Sequence, residues 1–249
     1  MKAMHGLLGA LLGALPAQVA GAAEIRVLSA GAIEPGLTAA AAAYQRETRV
    51  EVRITFATAP QLRKRVGGGE SADVVIAPPA AIEEFARDGK VSQPRIGVGR
   101  VGLGVAVRPD APLPDVSSAA ALERSVLDAE SLVFNRASTG LYFEGLLKKM
   151  GVYAQVEART TRYPDGASVM EHLLKGKGRE VGFGPITEIL QFRDKGLRLV
   201  GPLPAEVQNY TNYTAVPMTA AANADAAAAF VRYLASPAGK AFFIAAGIE

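Results

Sequence analysis

The sequence predicts a mixed α/β protein, two doubly wound lobes joined by two crossover strands. Three observations predict it. Short apolar runs alternate with helix-period segments along residues 25–88, a second series of the same kind covers 132–200, and the extended stretches 100–107 and 210–216 lie where the two series meet. Two crossings return the C-terminal helices to the first lobe. Lobe I is then residues 24–101 plus 214–249 and lobe II is 102–213, hinged about a cleft.

In the first series a short apolar strand, 25–28, is followed by a helical run at 37–48 and a strand at 50–56. The next helix, 61–66, ends at Gly67-Gly68-Gly69. Asp73-Val74-Val75-Ile76 reads as a fully buried strand, and helix 82–88 is terminated by Gly89. A Gly-punctuated strand, 101–107, leads to the second series. There Ser117 and Ser118 cap a helix, 132–134 is a strand and 141–150 a helix. Helix 169–175, strand 181–183, helix 186–195 and strand 197–200 follow. Residues 209–216 alternate with β-type side chains, and two Ala-rich helices, 225–235 and 238–245, separated by Ser236-Pro237, close the chain.

Composition narrows the chemistry. At 249 residues, 49% hydrophobic and 20% charged, the chain buries a substantial core and is not disordered. Zero Cys excludes a disulfide framework, thiolate catalysis, iron–sulfur clusters and Cys-built zinc sites. Two His, His5 and His172, are too few for a multi-histidine metal centre, and no cofactor is expected. The formal net charge of +3 is nearly balanced, and its densest run, Arg63-Lys64-Arg65, reads as one solvated turn of helix. A nucleic-acid partner is therefore not expected, whereas a slight positive bias suits small anions.

The N-terminus has the three parts of a secretory signal: a basic start at Lys2, an apolar stretch at 7–15, and the small-residue exit Ala20-Gly21-Ala22-Ala23. Residues 1–23 are expected to be removed. The apolar stretch is too short to span a bilayer, and no Cys near the cleavage region can carry a lipid. A freely diffusing monomer in a bacterial periplasm is the expectation.

Ligands of such sheets bind beyond the carboxyl ends of strands, where loops lead into helix starts. Five loops qualify. Ser29-Ala30-Gly31-Ala32 leaves backbone N–H groups accessible, and Thr58-Ala59-Pro60 offers a hydroxyl before a helix with Pro in its first turn. Asn135-Arg136-Ala137-Ser138-Thr139-Gly140 is the strongest local signal. It brings a guanidinium, two hydroxyls and unpaired amides to one place, and Arg136 has the fork that grips a carboxylate or an oxyanion. Asp165-Gly166-Ala167-Ser168 and Gly184-Pro185-Ile186-Thr187 complete the set.

Other patterns fail their context. The run 97–102 fits G-x-G-x-x-G but precedes a strand instead of a helix, so it reads as the approach to the hinge. The sequons at Asn209 and Asn212 lie in a strand of an exported bacterial-type chain and read as structural. His172 reads as a surface residue of a helix. A hydrolase using Ser29 or Ser138 as nucleophile would have no other mature histidine as its base.

The chain resembles the periplasmic molybdate-binding family of ABC importers over nearly all of its mature length. The resemblance is carried by Val27-Leu28-Ser29-Ala30-Gly31-Ala32, Phe56-Ala57-Thr58-Ala59, Ala72-Asp73-Val74-Val75-Ile76 and Ser138-Thr139-Gly140-Leu141-Tyr142-Phe143. The ending, Tyr233-Leu234-Ala235-Ser236-Pro237-Ala238-Gly239-Lys240 to Ala246-Gly247-Ile248, contributes as well. It implies a two-lobed binding protein, not an enzyme, that holds a small oxyanion of the molybdate or tungstate kind without a counter-charge and delivers it to an inner-membrane permease. It also implies where the ligand groups fall. The family's two serines correspond to Ala32 and Ala59, its tyrosine to Pro185, and its amide donors to Thr139 and Gly166. Three hydroxyls are thereby lost, at roughly 1 kcal/mol each, unless Ser29, Thr58 or Ser138 replace them. A small organic carboxylate paired with Arg136 is the competing ligand.

Overall fold

Among the described residues nine strands form one sheet: β1 (Glu24–Ala30), β2 (Glu51–Ala57), β3 (Val74–Ala77), β4 (Ile96–Val107), β5 (Ser131–Asn135), β6 (Thr160–Tyr163), β7 (Glu180–Pro185), β8 (Arg198–Pro202) and β9 (Tyr210–Pro217). This is a computed structural model, and it describes residues 24–249; the expected signal segment lies outside the described residues. The spatial order is β2-β1-β3-β9-β4-β7-β5-β6, with β8 pairing with β4 off this path. The described residues form ten α-helices, eight between strands and the last two after β9: α1 (Glu34–Thr48), α2 (Ala59–Gly67), α3 (Pro79–Arg87), α4 (Ala119–Asp128), α5 (Ser138–Lys149), α6 (Tyr153–Val156), α7 (Gly166–Lys175), α8 (Ile186–Gln191), α9 (Ala224–Ala235) and α10 (Pro237–Ala245). No described helix is long and apolar enough to cross a membrane.

The pairings β1–β2, β1–β3, β5–β6 and β5–β7 are parallel, as strand–helix–strand repeats require. β9 runs antiparallel to β3 and β4, and β4 antiparallel to β7 and β8. β4 is long enough to serve two neighbourhoods: residues 96–102 pair with β9 and 103–107 with β7 and β8. The buried apolar side chains divide along the same strand. One cluster draws on residues from Ile25 to Val101 and from Tyr213 to Ile248, while another runs from Leu103 to Leu203 and is centred on Phe143 stacked on Phe183, ring centroids 3.7 Å apart. Each fully buried Phe of this kind contributes about 1.5–3 kcal/mol.

Helix starts follow side-chain chemistry. Ser118 accepts from the amide of Ala121, Asp165 from Ser168, Asn223 from Ala226 and Ser236 from Gly239, so each supplies a first turn with an acceptor. The predicted helix 186–195 is shorter in the structure. α8 stops at Gln191 and a 3-10 turn, Arg193–Lys195, ends at Gly196 with φ of 96°. Two elements escaped the periodicity: α6, a single turn, and β6, whose half-buried Thr160-Thr161-Arg162-Tyr163 carries no apolar run because it closes one end of the sheet.

The G-x-G-x-x-G run lies inside β4. Gly99, at φ of 149°, sits beneath the C-terminal tail, where Arg100 and Glu249 exchange backbone hydrogen bonds of 2.7 and 3.0 Å. A Cβ there would collide with Ile248, so the glycine serves tail packing and not a nucleotide. Asp73, expected in a strand, precedes β3 as a buried cross-link: its carboxylate accepts from the amides of Arg26 at 2.8 Å and Ala222 at 2.7 Å. Asp73→Ala leaves two amides without acceptors and is expected to cost about 2–4 kcal/mol. A lower denaturant midpoint at unchanged slope checks this.

Candidate binding cleft

The carboxyl ends of β1, β2, β3, β5 and β7 surround a cavity of about 320 Å³. Each strand exit is built differently. β1 passes through a 3-10 turn, Gly31–Ile33, into α1. Thr58 precedes α2, and the Gln61 side chain reaches back to accept from the Thr58 amide (2.8 Å) and hydroxyl (3.1 Å). At the exit of β5, Asn135 organises the turn: its Oδ1 accepts from the amides of Ala137 (3.0 Å) and Gly140 (3.1 Å), and its Nδ2 donates to the Thr139 hydroxyl (3.1 Å). Gly140 lies so close to the Asn135 carbonyl that no Cβ fits between them. Before α7, Asp165 accepts from Ser168 at 2.8 Å.

Ala59, Ser138, Thr139, Gly166 and Ala167 all line the cavity and belong to the first turns of α2, α5 and α7. First-turn amides have no partner within their own helix, and the helix dipole makes that end positive. Three such ends converge on one small space. Phe56, Phe192, Pro78 and several alanines supply its apolar wall.

Residues 25–249 match the family model of the bacterial extracellular solute-binding proteins. The chain belongs to that family. A relative named aconitate isomerase, from Pseudomonas sp, is 28% identical over 219 residues, covering 85% of this chain and 82% of that one. Among solved structures, the periplasmic molybdate-binding protein of Azotobacter vinelandii superposes with a TM-score of 0.77 at 17% identity, over 90% of this chain and 98% of that one. The tungstate ABC transporter protein of Geobacter sulfurreducens superposes at 0.72 and 15% identity, over 89% and 98%. These two likenesses establish the fold, that of the type II periplasmic binding proteins.

In this solute-binding protein nine of the sequence-predicted residues line one cavity: Ala30, Gly31, Ala32, Thr58, Ala59, Ser138, Thr139, Gly166 and Pro185. Two do not. Ser29 is fully buried beneath the cavity, where its hydroxyl donates to the Ala30 carbonyl at 3.2 Å. Arg136 donates its amide to the Tyr163 carbonyl at 2.8 Å, continuing the β5–β6 pairing, and its exposed side chain is outside the lining. The side chain of Arg136 is thus not among the groups that surround the cavity. Two of the three replacement hydroxyls are committed as well: that of Thr58 to Gln61 and that of Ser29 to its own chain. Ser138 is what remains of the predicted set. His172 is remote, its Nδ1 3.0 Å from the Tyr163 hydroxyl.

The lining contains no Lys, Arg or His, and it contains three acids that the loop motifs did not single out as ligands: Glu34, Asp165 and Glu188. Among the described residues no group of three or more His, Cys, Asp or Glu is arranged to hold a metal ion. Glu188, in the first turn of α8, is wedged between two loops: a Cβ on Gly166 would overlap its Oε2, and one on Gly31 would lie 3.4 Å from its Oε1. Thr187 beside it donates to the Ala32 carbonyl at 2.5 Å and fixes α8 against the first loop. Glu188 Oε2 is buried with no hydrogen-bond partner. Burial, reinforced by the charges of Asp165 and Glu34, pushes the Glu188 carboxyl up to about 7. Burial also raises Glu34, and burial together with Glu188 raises the Tyr213 hydroxyl on β9. An acid directly after the strand exit Gly184-Pro185, in an otherwise apolar stretch, was the available sequence signal for Glu188.

Proposed function

We propose that the protein is a periplasmic solute-binding protein that closes around a small organic acid, held as its anion, and hands it to the permease of an ABC importer. The observation that carries this reading is the cavity: about 320 Å³, framed by the first turns of three helices. That volume lies at the lower end of sites for small organic molecules and well above the ~30 Å³ share of one water. A four-oxygen ion would leave much of it unfilled and would meet Ala32, Ala59 and Pro185 where the resemblance implies hydroxyls. An organic acid places its carboxylate oxygens on the amides and its carbon frame against Phe56, Phe192 and the alanines. The name of the Pseudomonas relative, which specifies a small tricarboxylate, agrees. The parts of the chain on either side of Gly102 in β4, each with its own buried apolar side chains, then act as lobes, with β4 and β9 as the crossover strands. A guest touching both stabilises the closed form, which is what a permease would recognise.

Isothermal titration calorimetry against succinate, malate, citrate, trans-aconitate, molybdate, tungstate and sulfate tests the reading. At least one organic acid is expected to bind with Kd below about 10 µM, a typical small-ligand affinity of about 7 kcal/mol. Molybdate and tungstate are expected to bind at least about 100-fold more weakly, matching the three lost hydroxyls. Tight binding of molybdate or tungstate with no heat from any organic acid overturns it.

Glu188 favours a second reading, in which the protein isomerises its guest. A buried carboxyl near 7 inside an organic-acid cavity is poised for proton transfer. The Glu188 carboxylate would take a proton from a saturated carbon next to the double bond. The freed electron pair would form the new double bond while the old one accepted the proton back from Glu188. Proton NMR of trans-aconitate in D2O with the protein distinguishes the two: a pure carrier gives neither deuterium incorporation nor a second isomer, and an isomerase gives at least one.

A further inference from the structure

We propose that Glu188 determines the specificity of the cavity by remaining un-ionised and donating a hydrogen bond to one oxygen of the bound acid, so that guest and proton enter together. The inference rests on the organic-acid reading. Its geometric basis is that Glu188 lines the cavity half-buried, and that its Oε2 is buried with no hydrogen-bond partner. The groups facing it are Glu34 from α1, Asp165 from the start of α7 and Tyr213 from β9, and no base lines the space. An ionised Glu188 would repel an arriving carboxylate in a partly desolvated site with no compensating cation. As the neutral acid it removes that repulsion and supplies an O–H donor, and an O–H bond to a carboxylate is short and strong. Asp165 is less suited to this part because its oxygen already caps Ser168. The un-ionised state is accessible because the Glu188 carboxyl titrates near 7 in the empty cavity.

The chemical class follows. The guest needs an oxygen that accepts a strong hydrogen bond from a neutral acid, and the more basic carboxylate oxygen is favoured over that of sulfate. Proton coupling also fixes a sign: affinity falls as pH rises through 7, because above it a proton must be taken up for each guest bound.

Calorimetry with the acid that binds best in the panel above, at pH 6 and pH 8 and in buffers of different ionisation heat, tests the proposal. From a Glu188 value of about 7, affinity of the native protein is expected to drop about tenfold between pH 6 and pH 8, with uptake of close to one proton at pH 8. Glu188→Gln keeps a donor at every pH. It should bind within about threefold of the native protein at pH 6 and lose this pH dependence, which also separates Glu188 from the guest's own titration. Sulfate, the weaker acceptor, should bind more weakly than that acid at both pH values. A native protein whose affinity is flat or rises with pH, with no proton uptake, overturns the proposal while leaving the organic-acid reading intact. A cavity that binds none of the acids overturns both.

Discussion

Glu188→Gln is expected to raise the stability of the ligand-free protein by about 3 kcal/mol at pH 8 and by less than about 1 kcal/mol at pH 5. In the unfolded chain this carboxyl titrates near 4.5, and in the folded chain near 7. The folded state therefore binds the proton more tightly, and the stability that goes with the neutral form is fully present below 4.5. It is lost progressively as pH rises, until above 7 the folded protein carries a buried, unpaired charge. Gln has the same shape and cannot ionise, so its advantage grows across that window. Denaturant midpoints at the two pH values measure it. An equal gain at both would mean a packing effect without proton linkage, and a loss at pH 8 would mean that Glu188 is not destabilised in the fold. A site residue that lowers stability is what a function-first position looks like.

Gly140→Ala is expected to cost about 3 kcal/mol or more and to abolish solute binding. The added methyl overlaps the main-chain carbonyl of Asn135, a buried strand end. Neither partner can swing aside as a flexible side chain would, so the turn has to rebuild. The turn carries the Thr139 amide and the three Asn135 hydrogen bonds that aim α5 at the cavity, so affinity falls together with stability. Gly145→Ala is the control on the same helix. Nothing lies within 4 Å of the new methyl, and an exposed helix-interior Gly→Ala change should stabilise by about 0.5–1 kcal/mol. Thermal unfolding of the pair should move in opposite directions.

The sequence made the fold legible where periodicity and chain punctuation agreed. The run from β1 to α3 reads directly because Val74-Val75-Ile76 is buried on both faces and Gly68 and Gly89 stand at helix ends. β6 did not read, since its Thr-Thr-Arg-Tyr is half-covered and its place is set by β5 alone. The site divides in the same way. Loops of small and hydroxyl residues at strand exits are a local signal, and nine residues chosen on that signal share one cavity. Ser29 failed because a strand's side chains alternate and its turn falls on the core side. Arg136 failed because β5 extends one residue further in pairing with β6 than its apolar run indicates. The convergence of the acids did not read for another reason: Glu34, Asp165 and Glu188 are remote in sequence, and only the folded sheet brings them to one wall.

The most direct measurement of the central claim is a crystal structure of the protein grown at pH 6 with the organic acid that binds best. The account predicts the acid inside the cavity at the ends of β1, β5 and β7. Its carboxylate oxygens should lie within hydrogen-bond distance of first-turn amides of α2, α5 or α7, with one oxygen on the Glu188 carboxyl. An acid bound elsewhere on the surface, or held by Arg136 with the cavity empty, contradicts it.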